Sequence, residues 1–247
     1  MPLRESEAIV LRSYPLGEGD KLVSFFSRSH GRMRGVARGA RRPKNRFGAT
    51  LEPLSHVRIW FFERETRELV RINQCELVES FFDTQRNYVA GVALSMLSEI
   101  TEAAIPEREP NDAAFRLLLL ATASMRDAAR VPLSLAYFSL WTLRIGGWLP
   151  QLDRCVKCRR VLGEEDVFAS IHRPGFACIG CRRPGMSTIS SESLVAARRM
   201  MEVRLDRLDI RNFPDTICAK LIDHTLNLIE HHIERKLVSR RMMGSKV

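Results

Sequence analysis

Two Cys-x-x-Cys pairs, Cys155 with Cys158 and Cys178 with Cys181, stand nineteen residues apart in a chain of 247. Nothing else in the sequence restricts folding as much. Each pair lets one tight turn present two sulfurs to a single ion, and two such turns complete the tetrahedron that zinc takes with four thiolates. Four thiolates leave no open position for water, so the expected zinc is structural rather than catalytic. Two redox pairs, or four buried thiols, are the competing readings. His172 lies between the pairs and is a possible substitute ligand, but with four thiols at hand it is read as a bystander. Cys75 and Cys218 lie in apolar-rich segments and are expected to be inert buried thiols.

The chain is long enough for one large domain or two modest ones, and 45% of it is hydrophobic. No apolar run reaches the roughly 18 residues of a membrane span, so no membrane partner is expected. Residues Met1 to Glu7 carry no signal-peptide stretch, and the thiols point to a reducing cytoplasm.

Glu7–Ser13, Lys21–Ser27, Arg32–Ala37, Val57–Phe62 and Glu68–Val78 have the short apolar or alternating runs of strands. Tyr14 to Asp20 is a Pro- and Gly-rich turn, and Glu63 to Arg67 is a charged one. Five strands with one long connection suit a small barrel of the OB type, and an SH3-like barrel has a similar pattern. The long connection carries the charge. The chain is formally +10, with 39 basic and 29 acidic residues. Eight Lys or Arg residues fall between Arg28 and Arg46, and no Asp or Glu lies between Lys21 and Leu51. The expected phosphate contacts are Arg34, Arg38, Arg41, Arg42, Lys44 and Arg46, because the guanidinium fork matches phosphate oxygens. Glycines in this stretch are expected to keep its backbone supple. Phe47, Trp60 and Phe61 are close enough in sequence to offer stacking faces for bases. A solvated loop above a core of buried aromatics is the bland alternative.

Beyond Phe82 the apolar spacing becomes helical. Val89, Val92, Met96 and Ile100 predict a helix capped by Asp83 or Thr84. Asn111 or Asp112 caps a second, Pro132 opens a third, Ser190 or Ser191 caps a fourth, and Pro214-Asp215 opens a last helix running to Val238. Its end, Arg235 to Arg241, is basic, which suits the helix dipole as well as a second nucleic-acid contact. His231 and His232 are adjacent and point about 100° apart on a helix, so they cannot chelate together. The expected architecture is α+β and multidomain. Residues 1–80 form the OB-fold barrel and 81–247 a helical domain, interrupted at about 148–187 by the four-cysteine zinc module. Phosphate-binding loop, zinc-protease and hydrolase motifs are absent, which favours a binding protein over an enzyme.

Three segments together resemble the RecO family of bacterial DNA repair proteins. The first is Glu7-Ala8-Ile9-Val10-Leu11, followed by Gly17-Glu18-Gly19-Asp20-Lys21-Leu22-Val23 and His30-Gly31-Arg32. The second runs from Gly35 to Gly48, through Arg38-Gly39-Ala40-Arg41-Arg42-Pro43-Lys44-Asn45-Arg46-Phe47, to Leu51-Glu52-Pro53. The third runs from Gly147-Trp148-Leu149-Pro150 through Cys155 and Cys158 to Phe168, Gly175, Cys178 and Cys181. The resemblance implies an OB fold, a helical domain and an inserted zinc module. It further implies binding of single- and double-stranded DNA and annealing of complementary strands. With RecR and the C-terminal tail of the single-strand-binding protein SSB as partners, RecA would be loaded onto SSB-coated DNA, without nucleotide hydrolysis, in the cytoplasm at the nucleoid. The chain departs from the family pattern at Arg159, where glycine is frequent, and at Pro174-Gly175, where paired glycines are frequent. Some members lack the cysteines, so the metal is not expected to be essential to the family's activity.

Two other classes compete. One is a zinc-dependent nucleic-acid enzyme, which the four-cysteine set disfavours. The other is an interaction hub whose helix faces around Leu118, Leu140 and Leu143 grip partner peptides, although core packing explains those residues more simply.

Overall fold

The structure, a computed structural model, describes residues 2–63, 68–170 and 173–243. His172 and most of the charged turn expected at 63–67 lie outside the described residues.

Five strands, β1 (Leu3–Leu16), β2 (Asp20–Ser27), β3 (Gly31–Ala37), β4 (His56–Phe62) and β5 (Val70–Glu79), close into a barrel in the order β1-β2-β3-β5-β4. β1 is twice as long as the expected strand Glu7–Ser13 because it serves two neighbours. Leu3 to Ile9 pair with β4, and Ala8 to Leu16 pair with β2. A bulge between Val10 and Arg12 bends it from one partner to the other. β3 and β5 pair in parallel through Gly35 and Val70. Closure with one doubly paired long strand and one parallel pair is the OB arrangement, which decides between the two barrels that the sequence left open. Inward positions alternate with outward ones. In β3, Met33 and Ala37 are buried while Arg34 is exposed. Val10, Val23, Phe25, Val57, Ile59 and Ile72 are among the residues that fill the interior.

The chain divides into two compact units. The first takes the residues up to Ala128 and those from Leu237 onward. It therefore includes two helices, α1 (Tyr88–Ala104) and α2 (Asp112–Ser124), beside the barrel. The cap of α1 is Asn87, whose side chain accepts the Ala90 N–H at 3.0 Å. Asp83 and Thr84, expected there, belong to a short 3-10 turn before it. Asn111 caps α2 through the Ala114 N–H.

The second unit, Ala129–Lys236, opens with α3 (Val131–Ile145), followed by a three-stranded sheet. That sheet is built from β6 (Val167–Ser170), β7 (Arg173–Ala177) and β8 (Ser187–Ile189), with β6 in the centre. Then come α4 (Ser191–Glu202), capped by Ser190, and α5 (Asp215–His232). α3 packs on α5, where the buried hydroxyls of Ser139 and Thr225 share a hydrogen bond of 2.7 Å.

The expected last helix is two. The residue after the α5 cap, Glu234, has φ +54°, a left-handed conformation that ends the helix without a glycine to announce it. A separate helix, α6 (Val238–Met243), belongs to the first unit. Its start is capped from a distance. Buried Glu99 on α1 accepts the N–H groups of Val238 (2.8 Å) and Ser239 (2.9 Å) and the Ser239 hydroxyl (2.6 Å). Burial works against the Glu99 carboxylate, but the Ser239 and Val238 donors outweigh it and hold the carboxyl below its ordinary value. Among the described residues, no helix is long and apolar enough to cross a membrane.

Candidate nucleic-acid interface and metal centre

The eight cations between Arg28 and Arg46 fall into two groups. Those on or near β3 are engaged with carboxylates. Arg28 binds Glu7 and Asp112, each at 2.7 Å, and Arg32 binds Glu107 at 3.0 Å. Arg34 faces Glu107 at 3.4 Å and Glu68 at 3.8 Å. Arg38, Arg41, Arg42, Lys44 and Arg46 are exposed on the connection between β3 and β4, and none forms an ion pair among the described residues. Sequence clustering joined Arg34 to these five, whereas the structure sets it among acids.

The connection is a succession of hydrogen-bonded turns, with Arg42 N–H on Gly39 C=O, Thr50 N–H on Phe47 C=O and Glu52 N–H on Ala49 C=O. Phe47 (2% exposed) and Leu51 (1%) drive into the barrel core and fasten it. Arg41 leans on the turn between β1 and β2. Its main-chain N–H donates to Gly19 C=O at 3.0 Å, and its guanidinium donates to Gly17 C=O at 2.7 Å. The Arg46 guanidinium lies 4.9 Å from the Phe47 ring centroid.

This burial corrects the expected stacking faces. Phe47 and Phe61 are core residues and present no ring to a base. Trp60 is half-buried, and its indole N–H donates to Glu5 at 3.0 Å. An exposed ring is Tyr14, 45% exposed on β1 three residues before Gly17, where Arg41 docks. Sequence reasoning put Tyr14 in a turn and passed over it. The signal was available, since a Tyr at the end of a hairpin arm has little core to enter.

In the second unit the four paired cysteines converge. Their Sγ atoms lie within 4.8 Å of one another, and Cys158 and Cys178 are 3.8 Å apart. A tetrahedron with metal–sulfur bonds of about 2.3 Å has an edge of about 3.8 Å, so the set could hold a metal ion. Two turns make it. In the first, Arg159 N–H donates to Cys155 C=O and Cys155 N–H to Arg160 C=O, both at 2.9 Å. In the second, Cys181 N–H donates to Cys178 C=O at 2.9 Å. Arg159 closes the first turn at φ +63°, a conformation that suits glycine and that an L-residue adopts at some cost. Gly175 is fixed by space as well as by its φ of +141°, since a Cβ there would meet Val156 at 2.7 Å.

The thiols share their protons unequally. Burial opposes ionisation of Cys155, but the N–H groups of Cys158, Cys178 and Lys157 converge on it and bring it down to about 6. The Arg160 guanidinium holds Cys178 low against burial. Cys181 is pushed up to about 12, by burial and then by the neighbouring thiols. Four adjacent thiolates repel, and a cation among them removes that penalty. Arg198 on α4 brackets the first turn, donating to Leu152 C=O at 2.8 Å and Leu162 C=O at 2.7 Å. The spare thiols are buried, and burial pushes both Cys75 and Cys218 up to about 12, out of the reactive range.

Other candidates do not assemble. His232 stacks on Trp148, with ring centroids 5.0 Å apart. Leu118, Leu140 and Leu143 are buried, each in the core of its own unit, and offer no open face to a peptide.

Two family models match the chain, Recombination protein O N terminal over residues 1–81 and Recombination protein O C terminal over residues 85–241. A DNA repair protein RecO of Koribacter versatilis is 37% identical over 241 residues, covering 98% of both chains. One from Bifidobacterium animalis subsp. lactis is 31% identical over 98% of this chain and 100% of its own. One from Streptomyces avermitilis is 36% identical over 79% of this chain and 81% of its own.

Proposed function

The chain belongs to the RecO family of DNA repair and recombination proteins, and from that premise we propose that it is a non-catalytic mediator that holds and anneals DNA strands on its barrel unit. Five cations without a carboxylate partner among the described residues, on one hydrogen-bonded connection, carry this reading. Arg38, Arg41, Arg42, Lys44 and Arg46 take phosphates from single- or double-stranded DNA. Arg34 stands at the margin, where a phosphate must compete with Glu107. Tyr14 supplies a ring on which a base stacks, a contact worth about 1–3 kcal/mol. Neutralising phosphates on two strands lowers their mutual repulsion and assists annealing. Arginine and lysine do this without a nucleotide or an ionising catalyst, in keeping with a protein that is not an enzyme.

The partners follow from the family. With RecR, this protein helps to load RecA onto DNA coated by SSB, whose C-terminal tail it engages, in the cytoplasm at the nucleoid. Cys155, Cys158, Cys178 and Cys181 hold a structural zinc, which cross-links two turns and contributes no step to strand chemistry. Residues 1–80 carry the DNA-binding barrel. Residues 81–247 carry the helical elements, with the zinc module at about 148–187.

Two measurements test this. Each phosphate neutralised on a single strand contributes roughly 0.7 to the salt slope. Replacing Arg41, Arg42 and Lys44 by alanine should therefore weaken binding of single-stranded DNA and lower the slope by about 2. Charge reversal at Arg38, Arg41 and Arg42 should abolish annealing of SSB-coated complementary strands without ATP. Unchanged affinity and slope in the folded triple variant would place the DNA surface elsewhere.

A further inference from the structure

The basic connection is braced by an acidic and an uncharged side chain, Asp20 and Asn45. Asp20, the first residue of β2, accepts the Gly39 N–H on its carboxylate at 2.8 Å. Gly39 has φ +74°, so the chain turns sharply there between Arg38 and Arg41. The turn before Asp20 receives the two arginines that follow. Gly17 and Gly19 accept hydrogen bonds from Arg41, and the Arg42 side chain lies over Gly19, where an added Cβ would be in van der Waals contact with its Nε at 3.4 Å. At the other end, Asn45 lies between Lys44 and Arg46. Its side-chain oxygen accepts the N–H groups of Phe47 and Gly48, both at 3.0 Å, and its amide donates to Arg42 C=O at 3.1 Å.

We propose that Asp20 and Asn45 are positioning residues of the DNA-binding connection, fixing Arg38, Arg41, Arg42, Lys44 and Arg46 in their phosphate-binding arrangement before DNA arrives. The inference rests on the proposed DNA surface. Five cations on nine residues repel one another, and an unbraced loop would lose backbone freedom on binding, at a cost in affinity. A loop already ordered avoids that loss. Asp20 shows the positioning role most clearly because its charge is of the wrong sign. An acid beside five cations repels phosphate, so on electrostatics alone its removal strengthens binding.

That opposition supplies the test. Asp20→Asn and Asp20→Ala change the charge equally. The amide oxygen of asparagine can still accept the Gly39 N–H, whereas alanine cannot. Binding of a labelled oligothymidylate is measured across a salt series for both variants, for Asn45→Ala and for the Arg41/Arg42/Lys44 triple, with thermal melting confirming that each is folded. Asp20→Asn should bind at least as tightly as the unmodified protein. Asp20→Ala should bind about tenfold more weakly than Asp20→Asn, the worth of roughly one hydrogen bond, with a shallower salt slope. Asn45→Ala, which changes no charge, should also bind more weakly. Equal affinities and slopes for the two Asp20 variants, with the triple variant weakened, overturn the positioning role and keep the DNA surface. A triple variant that binds normally overturns the surface and this inference with it. If Asp20→Ala proves unfolded, Asn45→Ala decides, and undiminished binding by that variant overturns the proposal.

Discussion

Single residues in this protein show how far side-chain chemistry is legible before a fold is known. The cysteine spacing predicted that four thiols would meet, because a tight turn and a shared centre follow from local rules. The Phe61 ring was misjudged because exposure depends on which face of β4 a residue occupies, and a one-residue shift in register reverses it; Phe47 was misjudged because no local pattern shows that the connection turns it into the barrel core. Buried His224 was not singled out at all. It sits on α5 beside Phe176, ring centroids 5.6 Å apart, and burial pushes it down to about 4, with Asp223 opposing only weakly. An unfolded histidine titrates near 6.5, so below that pH the unfolded chain takes up a proton that the folded chain refuses until about 4. Ionisation of His224 therefore has almost no effect on stability at neutral pH and lowers it as pH falls from 6.5 to 4, by up to about 3 kcal/mol. Denaturant unfolding of the protein and of His224→Leu at a series of pH values should show a shallower acid slope in the variant. Parallel slopes would mean that His224 is not held neutral.

At the scale of elements, periodicity located the five barrel strands and most of the helices, missed the short β6, β7 and β8 of the cysteine module, and failed where an element's bounds depend on a distant partner. β1 was underestimated because half of it is stabilised by pairing with β4, which no local pattern shows. The α5–α6 break was missed because Glu234 adopts a left-handed conformation normally signalled by glycine, and α6 is capped by Glu99 from more than a hundred residues away. α4 has a comparable long-range duty. Its apolar face, with Leu194 and Ala197, packs inward, while Arg198 spans the carbonyls of Leu152 and Leu162 on either side of the first cysteine turn. Arg198→Met keeps the aliphatic stem and removes the donors. It should destabilise the second unit by about 2–3 kcal/mol and speed metal release to a chelator. Arg198→Lys should rescue little, because a single ammonium does not reproduce the two-pronged geometry. Metal release at an unchanged rate in both variants would show that the turn holds its shape without α4.

For the whole molecule, the exposed cations of the basic connection and the cysteine cluster fall in different compact units. The net charge of +10 pointed to a polyanionic partner, but it did not reveal that three of the eight clustered cations are already paired with Glu7, Glu68, Glu107 and Asp112. Nor did the change from strands to helices near residue 80 show that α1, α2 and α6 cluster with the barrel. The barrel unit has a full core of aromatic and branched residues and needs no metal to hold it. The cysteine module differs. Its apolar cluster is small, built around Leu162, Val167, Phe168, Phe176 and Ile189, and two of its buried members are Cys155 and Cys178 themselves. A core of that size is marginal without a cross-link, so the binding energy of a metal held by the four thiolates would be folding energy for this segment. Chelation should therefore lower the melting temperature and raise amide exchange across residues 153–189. The amides of β1 to β5 should keep their protection, and oligothymidylate affinity should be nearly unchanged. Exchange mass spectrometry before and after chelation separates the cases. Identical melting and exchange would remove the structural role of the metal. Lost protection in the barrel strands, or lost DNA affinity, would show that the thiolate cross-link also supports the DNA surface.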